Sequence, residues 1–194
     1  MKTVFLLLAG FLLGSVPTGK IVAGRLGIDL QSTGSGNIGA TNVLRSTGKL
    51  PALLTLIGDM TKGALAVLLA RSFEVGIWQE GMIGIAAVLG HNFSIFLKFR
   101  GGKGVATSLG VLMVYAPLAG LATVVLWLIT VLVTRTSSLG AIVSFCTLPL
   151  SMYFLDAKEK LPISFIMSII LLMRHKDNIY RLIRGTEPKV GRNT

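Results

Sequence analysis

Long apolar segments alternate with short polar ones along the entire chain. Seven segments are poor in charged residues, and they cover residues 3–24, 50–71, 81–98, 104–116, 118–134, 138–155 and 161–174. A helix needs about 20 mostly apolar residues to cross a bilayer. The pattern therefore predicts an all-α polytopic membrane protein with seven transmembrane helices, of which the fourth and the seventh are short for a full crossing.

The first apolar segment has the length of a signal peptide, but two features argue against cleavage. Residues 14–17 offer no clear small-x-small site, and apolar residues resume directly after Lys20. A cleaved signal normally ends in such a site. We therefore interpret residues 3–24 as a retained first span.

The composition agrees with a bilayer as solvent. Hydrophobic residues make up 52% of the 194 residues, and charged residues only 14%, against about 25% in a soluble domain. The mean hydropathy is +0.75. Since no long polar linker interrupts the apolar segments, residues 1–194 are predicted to form a single integral membrane domain.

The charges of the loops predict the orientation. Loops rich in Lys and Arg, at residues 25–49, 98–103 and 135 and in the tail from Arg174, alternate with loops that carry no net positive charge. Positive loops stay in the cytoplasm. This alternation predicts an N-terminus outside and a C-terminus in the cytoplasm, and five spans would give the same placement if the two short segments do not cross.

The net charge of +11 also raises the possibility of a nucleic-acid partner. However, the basic residues lie in short loops between apolar segments. Positive-inside topology and anionic ligands account for such loops better than a nucleic-acid surface does. The sequence therefore predicts membrane lipid as a partner and no nucleic acid.

The first polar cluster, residues 34–45, contains Gly34, Gly36 and Gly39 in a G-x-G-x-x-G pattern. A dinucleotide site would need a preceding strand, and residues 26–33 make a poor one. Closely spaced glycines expose backbone N–H groups, and a helix beginning at Ala40 would direct its N-terminus at an anion. The cluster predicts phosphate binding, with a flexible glycine-rich connector as the alternative.

The second cluster, residues 91–104, ends in Gly101-Gly102-Lys103-Gly104 before a new apolar segment. This arrangement is typical of a loop that enters a helix N-terminus, where Lys103 would meet a phosphate. A positive-inside anchor explains Lys98 and Arg100 equally well, but leaves the three glycines around Lys103 unexplained. For His91 and Asn92, a structural hydrogen bond between helices is at least as good an interpretation as a catalytic role.

The third cluster begins where the last apolar segment ends. Arg174, His175, Asn178 and Arg181 combine i+3 and i+4 steps, so they would share one face of a helix. An ordinary cytoplasmic stop signal explains the basic residues of this cluster. It explains His175 and Asn178 less well.

Two further features are more readily explained by structure than by chemistry. Asp59 and Lys62 lie three apart inside the second apolar segment, which predicts an intrahelical ion pair. The spacing of Gly14, Gly19 and Lys20 nearly matches a P-loop, but Ile21 stands where Ser or Thr must bind magnesium. The eight acids are scattered without a paired-carboxylate site for Mg²⁺, so the sequence predicts no metal.

Taken together, these clusters resemble the bacterial membrane glycerol-3-phosphate acyltransferases that use acyl phosphate as donor. The resemblance covers essentially the whole chain and rests on residues 14–19, 34–45, 90–104 and 174–179. It implies transfer of a fatty acyl group from acyl phosphate to the 1-hydroxyl of glycerol 3-phosphate, which gives lysophosphatidic acid and phosphate in the first step of phospholipid synthesis. It also implies no acyl-CoA or acyl-carrier-protein donor, no metal or other cofactor, and a location in the bacterial plasma (inner) membrane. The loop charges place all three clusters, and with them the active site, on the cytoplasmic face.

The clusters and the resemblance together predict the site. The predicted catalytic residues are Lys103, Ser35, Asn37 and His175. The predicted substrate-binding residues are Ser35, Gly36, Asn37, Gly39, Thr41, Asn42, Arg45, His91, Asn92, Gly101, Gly102, Lys103, Gly104, His175 and Asn178.

The general base is left open between a histidine and a phosphate oxygen of a substrate. His91 and His175 are the only side chains whose unperturbed pKa lies near neutrality. The substrate is favoured because Asp177 is the only acid expected near either histidine.

Two other functions fit the same cationic loops. A transporter for an organic phosphate would use them, but it would be expected to show inverted repeats and broken helices at the midplane. The sequence shows no repeat and places its polar clusters at one interface. An enzyme that transfers phosphatidyl groups would need metal-binding acids, and the chain lacks a suitable set.

Overall fold

The computed structural model describes residues 1–190, and this part of the chain is helical without a strand. Short 3₁₀ helices cover Ile95–Leu97 and Lys158–Lys160. The α-helices are α1 (Lys2–Ser15), α2 (Thr18–Gly24), α3 (Ala40–Thr47), α4 (Lys49–Ser72), α5 (Ile77–Asn92), α6 (Val105–Tyr115), α7 (Pro117–Thr134), α8 (Ser137–Cys146), α9 (Leu148–Leu155), α10 (Leu161–Arg174) and α11 (Lys176–Ile183). Each of the seven predicted apolar segments is helical, which confirms the all-α prediction.

Four of these helical segments are long and apolar enough to cross a membrane. They are Lys2–Gly24, Lys49–Ser72, Ile77–Leu97 and Pro117–Thr134. The α8–α9 pair makes a fifth if its 46° bend lies within one span. The fourth and seventh apolar segments are short, as expected: α6 has 11 residues and α10 has 14, against the roughly 20 that a straight crossing needs. Residues 1–190 thus contain four to five helical segments that could span a membrane, and the count of seven stays a prediction.

The chain divides into two compact units, residues 1–115 and 116–194. In the first unit, α1 packs along α5 and α4 packs along α6. Glycines lie at both contacts: a Cβ at Gly14 would overlap the Ala87 backbone, and a Cβ at Gly110 would overlap the Met60 backbone. Glycine allows such close approach, which increases packing between helices where lipid removes the hydrophobic drive for association.

In the second unit, α7 packs against α8 and α9, and α10 packs against both of these helices. Ser168 in α10 donates a hydrogen bond to the Phe145 carbonyl of α8 at 2.7 Å. The core of this unit consists of large side chains that are almost fully buried, among them Phe145, Leu148, Met152, Ile163, Met167 and Leu171.

The surface of the helices is apolar, as expected of helices that face lipid. Leu132 and Val133 near the end of α7 are 78% and 79% exposed, and Phe154 in α9 is 70% exposed. Soluble proteins rarely expose contiguous apolar surface of this kind. A bilayer removes the cost, because lipid tails solvate these side chains.

The close contact between α1 and α5 gives a first test. Gly14→Ala is expected to lower the free energy of unfolding by about 1–3 kcal/mol, because its methyl group must displace the Ala87 backbone. Thermal unfolding of the protein in detergent measures the effect. Gly24→Ala is the control, since no atom lies within 4 Å of its Cβ position. Equal unfolding temperatures for the two variants would contradict a close contact between α1 and α5 at Gly14.

Candidate active site

Asn42, at the start of α3, organises the glycine-rich loop that precedes it. Its side-chain Nδ2 donates to the carbonyls of Asn37 at 2.8 Å, Thr33 at 3.0 Å and Leu30 at 3.3 Å. Its Oδ1 accepts the N–H of Ser35 at 2.9 Å. Asn42 is only 2% exposed, so one buried amide ties together the backbone from residue 30 to residue 37.

Gly34 is required by this arrangement. Its φ is +61°, in the left-handed region, and a Cβ there would overlap Asn42 Oδ1. The helix predicted to begin at Ala40 does begin there. The structure thus shows an ordered loop that leads into a helix N-terminus, and not a flexible connector.

The predicted site residues of this loop differ in accessibility. Ser35 and Gly36 are exposed, whereas Asn42 is buried, and the partly buried members are Asn37, Gly39, Thr41 and Arg45. Because both amide hydrogens of Asn42 point at backbone carbonyls, its visible role is to shape the loop. Its direct contact with substrate stays a prediction.

The Gly101–Gly104 segment packs directly on the end of α5. The N–H groups of Gly101 and Gly102 donate to the carbonyls of Asn92 at 3.2 Å and His91 at 3.0 Å. A Cβ at Gly102 would overlap the His91 imidazole, and Gly104 has φ +85° with Asn92 Oδ1 2.7 Å from its Cβ position. These glycines therefore have a packing reason that the sequence could not reveal, in addition to any role in phosphate binding.

Lys103 lies two residues before α6 begins and is partly buried. Its neighbours Gly102 and Gly104 are buried, while Lys98 and Arg100 on the same turn are exposed. A cation beside a helix N-terminus favours an anionic ligand, because both contribute positive potential. The local geometry thus distinguishes Lys103 from the two flanking cations.

A buried ionic cluster lies beneath this segment. Lys62 Nζ lies 2.8 Å from Asp59 Oδ1, which confirms the predicted intrahelical pair. It also lies 2.8 Å from His91 Nδ1 and donates to the Val16 carbonyl at 2.9 Å. The expectation that Asp177 is the only acid near a histidine was wrong, since Asp59 Oδ1 is 3.5 Å from His91 Nδ1.

One apolar cluster supports both glycine-rich segments. It joins Leu30, Ile38 and Val43 of the first loop to Leu97 of the second, and it includes Ala23 and Ala52. Ser94 also donates to the Ser15 carbonyl at 2.5 Å. Two of the three polar clusters predicted from the sequence are therefore packed on a common base in the first unit.

The third cluster, in the second unit, is arranged around Glu187, which the sequence analysis missed. Glu187 Oε1 accepts from Asn178 Nδ2 at 2.6 Å and from Ser138 Oγ at 2.7 Å. Its Oε2 accepts from Arg181 Nε at 2.7 Å. The only signal in the sequence was an isolated acid in a basic tail.

This environment changes the acidity of Glu187. Burial by itself would raise its pKa, but hydrogen bonds from Ser138, Asn178 and Arg181, together with the charge of Arg181, hold the pKa below its ordinary value. Glu187 is therefore ionised at neutral pH and orients the Asn178 amide.

The predicted common helical face is interrupted. α10 ends at Arg174 and α11 begins at Lys176, so His175 lies at the junction. His175 is 2% exposed, and its Nδ1 lies 2.9 Å from the Leu171 carbonyl. Asn178 and Arg181 do share a target, Glu187, although they are not on one continuous helix with Arg174.

No group of three or more His, Cys, Asp or Glu residues is placed to hold a metal ion within residues 1–190. The absence of a metal in the reaction stays a prediction. Hydrogen-bond donors and cations are what the described segments offer to a ligand.

Comparison with known proteins identifies similar enzymes. The sequence model of the glycerol-3-phosphate acyltransferase family matches residues 4–185. A glycerol-3-phosphate acyltransferase from Rubrobacter xylanophilus is 44% identical over 194 residues, which are 98% of this chain and 96% of the relative. The glycerol 3-phosphate form of PlsY (YgiH), an integral membrane glycerol 3-phosphate acyltransferase, has a TM-score of 0.92 at 36% identity and covers 98% of this chain and 96% of its own. Its lysophosphatidic acid form has a TM-score of 0.89 at 35% identity, with coverage of 97% and 95%.

The role of Asn42 gives a prediction about the first loop. Asn42→Ala removes four hydrogen bonds, each with a net contribution of about 1 kcal/mol, so residues 30–37 should lose protection from hydrogen exchange. Mass spectrometry of deuterium uptake measures this. Thr47→Ala, which removes one bond within α3 to the Val43 carbonyl, is the control. Unchanged uptake in Asn42→Ala would show that the loop does not depend on this amide.

Glu187 gives a prediction about pH. Because its folded-state pKa is lowered, its ionised form stabilises the second unit above the unfolded pKa of about 4.3, and this contribution is lost as the pH falls through the folded value. Glu187→Gln should unfold at a lower temperature than the parent protein at pH 7, and this difference should shrink on acidification. A difference that stays constant as the pH is lowered would contradict this origin.

Proposed function

The chain belongs to the glycerol-3-phosphate acyltransferase family, and we propose that it transfers a fatty acyl group from acyl phosphate to the 1-hydroxyl of glycerol 3-phosphate. The products are lysophosphatidic acid and inorganic phosphate. The similar structures, described as glycerol 3-phosphate and lysophosphatidic acid forms, support the acceptor and the product. The acyl-phosphate donor, with no acyl-CoA or acyl-carrier protein in its place, follows from the resemblance of the motifs.

One observation carries the proposal: two glycine-rich segments rest on the same apolar cluster, and each leads into a helix N-terminus. Both substrates contain a phosphate group. Backbone N–H groups at helix N-termini, together with Arg45 and Lys103, suit two such groups. The apolar helices beside them suit the acyl chain.

The reaction needs little chemistry from the protein, because acyl phosphate is a mixed anhydride. The glycerol hydroxyl attacks the acyl carbon, a tetrahedral oxyanion forms, and the carbon–oxygen bond to phosphate then breaks with its electrons on phosphate. Positioning and charge stabilisation are the main sources of rate in such a step. Lys103 and Arg45 neutralise the departing phosphate, Asn37 stabilises the oxyanion, and Ser35 orients a phosphate group.

A substrate phosphate oxygen takes the proton of the hydroxyl. Both histidines have one ring nitrogen engaged: Nδ1 of His91 lies against Lys62, and Nδ1 of His175 lies against the Leu171 carbonyl. The Leu171 carbonyl can only accept, so Nδ1 of His175 carries a proton. His175 then contacts substrate through Nε2 of a doubly protonated ring, which donates a hydrogen bond and is not a base. The remaining residues of the substrate-binding set are Gly36, Gly39, Thr41, Asn42, His91, Asn92, Gly101, Gly102, Gly104 and Asn178.

The proposed topology has seven spans in the bacterial inner membrane, with the N-terminus outside and the active site on the cytoplasmic face. Support comes from a difference in charge between two loops. The loop between α4 and α5 contains Glu74 and no Lys or Arg, whereas the loop after α5 contains Lys98, Arg100 and Lys103.

Impermeant thiol reagents test the topology. Cys146 is the only cysteine of the chain, so Cys146→Ser provides a background without thiols. In that background, single cysteines at the exposed positions 35, 100 and 176, one in each polar cluster, should all react only from the cytoplasmic side. Labelling of any of them from the opposite side would contradict a common face.

The reaction itself is tested with the purified protein in detergent. Phosphate should be released only when acyl phosphate and glycerol 3-phosphate are both present, and lysophosphatidic acid should appear in equal amount. A transporter for organic phosphate would instead move phosphate across liposomes without forming product. Flux without product would overturn the enzymatic proposal.

Lys103→Ala should reduce kcat/KM by at least about 30-fold. Removing a cation from a partly desolvated phosphate site costs about 2–5 kcal/mol, by analogy with broken charge pairs at interfaces. Lys98→Ala is the matched control, since Lys98 is an exposed cation of the same turn and should change kcat/KM by less than about threefold. A loss below tenfold in Lys103→Ala would exclude Lys103 as a phosphate ligand.

A further inference from the structure

The proposed reaction assigns no role to Asp59 and Lys62, which form a buried cluster with His91. These side chains lie within the apolar helices α4 and α5 and are 2%, 6% and 3% exposed. Charged groups in the interior of a membrane protein are costly and are usually paired or functional. Breaking a buried pair is strongly destabilising, whereas replacing the whole pair by apolar residues is often tolerated. Stability alone therefore gives little reason for this cluster.

The hydrogen bonds assign the state of His91. The Lys62 ammonium can only donate: its Nζ donates to the Val16 carbonyl at 2.9 Å and lies 2.8 Å from His91 Nδ1. The same nitrogen forms an ion pair with Asp59 Oδ1 at 2.8 Å. His91 Nδ1 must accept, so the ring proton lies on Nε2. A doubly protonated ring would place an N–H against the ammonium with no acceptor between them. The proton stays on lysine because the Asp59 carboxylate lies 2.8 Å from Lys62 Nζ and favours a charged ammonium there.

The opposite edge of the same ring faces the Gly101–Gly104 segment. A Cβ at Gly102 would overlap His91 Nε2, and the Gly102 N–H donates to the His91 carbonyl at 3.0 Å. Gly102 directly precedes Lys103. The charged groups in contact with the ring are Asp59 and Lys62 from α4. The third contact of Lys62 is the backbone at the junction of α1 and α2.

We infer that Asp59 and Lys62 are positioning residues, which hold His91 as the neutral Nε2–H tautomer and thereby fix the height and orientation of the Gly101–Lys103 segment. The inference rests on the proposed function only in that this segment contacts a substrate phosphate. A displacement of about 1 Å at a binding segment is enough to cost on the order of 100-fold in rate. The cluster thus connects α4, α5 and the α1–α2 junction, and it holds the Gly101–Lys103 segment against this rigid base.

The test replaces the ion pair as a whole. Asp59→Ala/Lys62→Met removes both charges and keeps most of the volume, so the full chain in detergent should unfold within about 5 °C of the parent protein. KM for at least one of the two phosphate substrates should nevertheless rise by at least about tenfold. The matched control is Asp156→Ala/Lys160→Met. It removes an ion pair four residues apart, in which Lys160 Nζ lies 2.6 Å from Asp156 Oδ1. This variant should leave KM unchanged.

A second measurement reads the tautomer directly and needs no turnover. The chain has two histidines, so ¹⁵N-histidine NMR of the protein in micelles gives two sets of ring signals, which the His175→Gln variant assigns. His91 should show the neutral Nε2–H pattern at about pH 7 and lose it in the double variant. An Nδ1–H or doubly protonated ring in the parent protein would overturn the inference, and so would a double variant with parental KM values. If the protein does not use acyl phosphate, the proposed function fails while the NMR result still decides the state of His91.

Discussion

Non-helical backbone beside a bilayer must find its hydrogen-bond partners within the protein, and this constraint shapes every polar segment of the chain. Two buried polar side chains meet it. Asn42 binds four backbone groups of the first loop, and Lys62 binds the carbonyl at the break between α1 and α2. Both side chains supply hydrogen-bond partners to backbone groups that no helix satisfies. Glu187 acts differently, since it connects the tail to α8 through the side chain of Ser138.

The same constraint explains why the polar segments can do chemistry. A loop whose backbone is already tied down does not need to reorganise when a ligand arrives, so its remaining donors are preorganised. Ser35 and Lys103 stand on such loops, and both loops rest on the apolar cluster that includes Ile38 and Leu97. Acyl phosphate is a reactive acyl donor. Fixed hydrogen-bond donors and cations therefore supply what the proposed reaction needs, and no nucleophile from the protein is required.

The sequence was sufficient for features that depend on near neighbours. The apolar segments predicted the helices, the glycines before Ala40 predicted a helix start, and the three-residue spacing predicted the Asp59–Lys62 pair; all are confirmed. The motifs also identified the family, which the comparisons confirm.

The features that the sequence did not reveal depend on distant residues. Lys62 meets His91 across 29 positions and Val16 across 46, and Ser138 meets Glu187 across 49. No spacing rule connects such residues, since their approach results from helix packing. For the same reason, the expectation that Asp177 was the only acid near a histidine failed: Asp59 is adjacent to His91 only after α4 and α5 have packed together.

The glycines of a motif are the hardest residues to interpret, because phosphate binding and close packing both require glycine. Gly102 precedes Lys103 as a phosphate loop would have it, yet its missing side chain also makes room for the His91 ring. The two requirements are not alternatives in this fold. The N–H groups of Gly101 and Gly102 already bind the end of α5, so this segment offers a ligand Lys103 and the N-terminus of α6. Glycine lets the backbone lie directly on the buried imidazole. The helices beneath the loop therefore restrict its sequence independently of the proposed substrate.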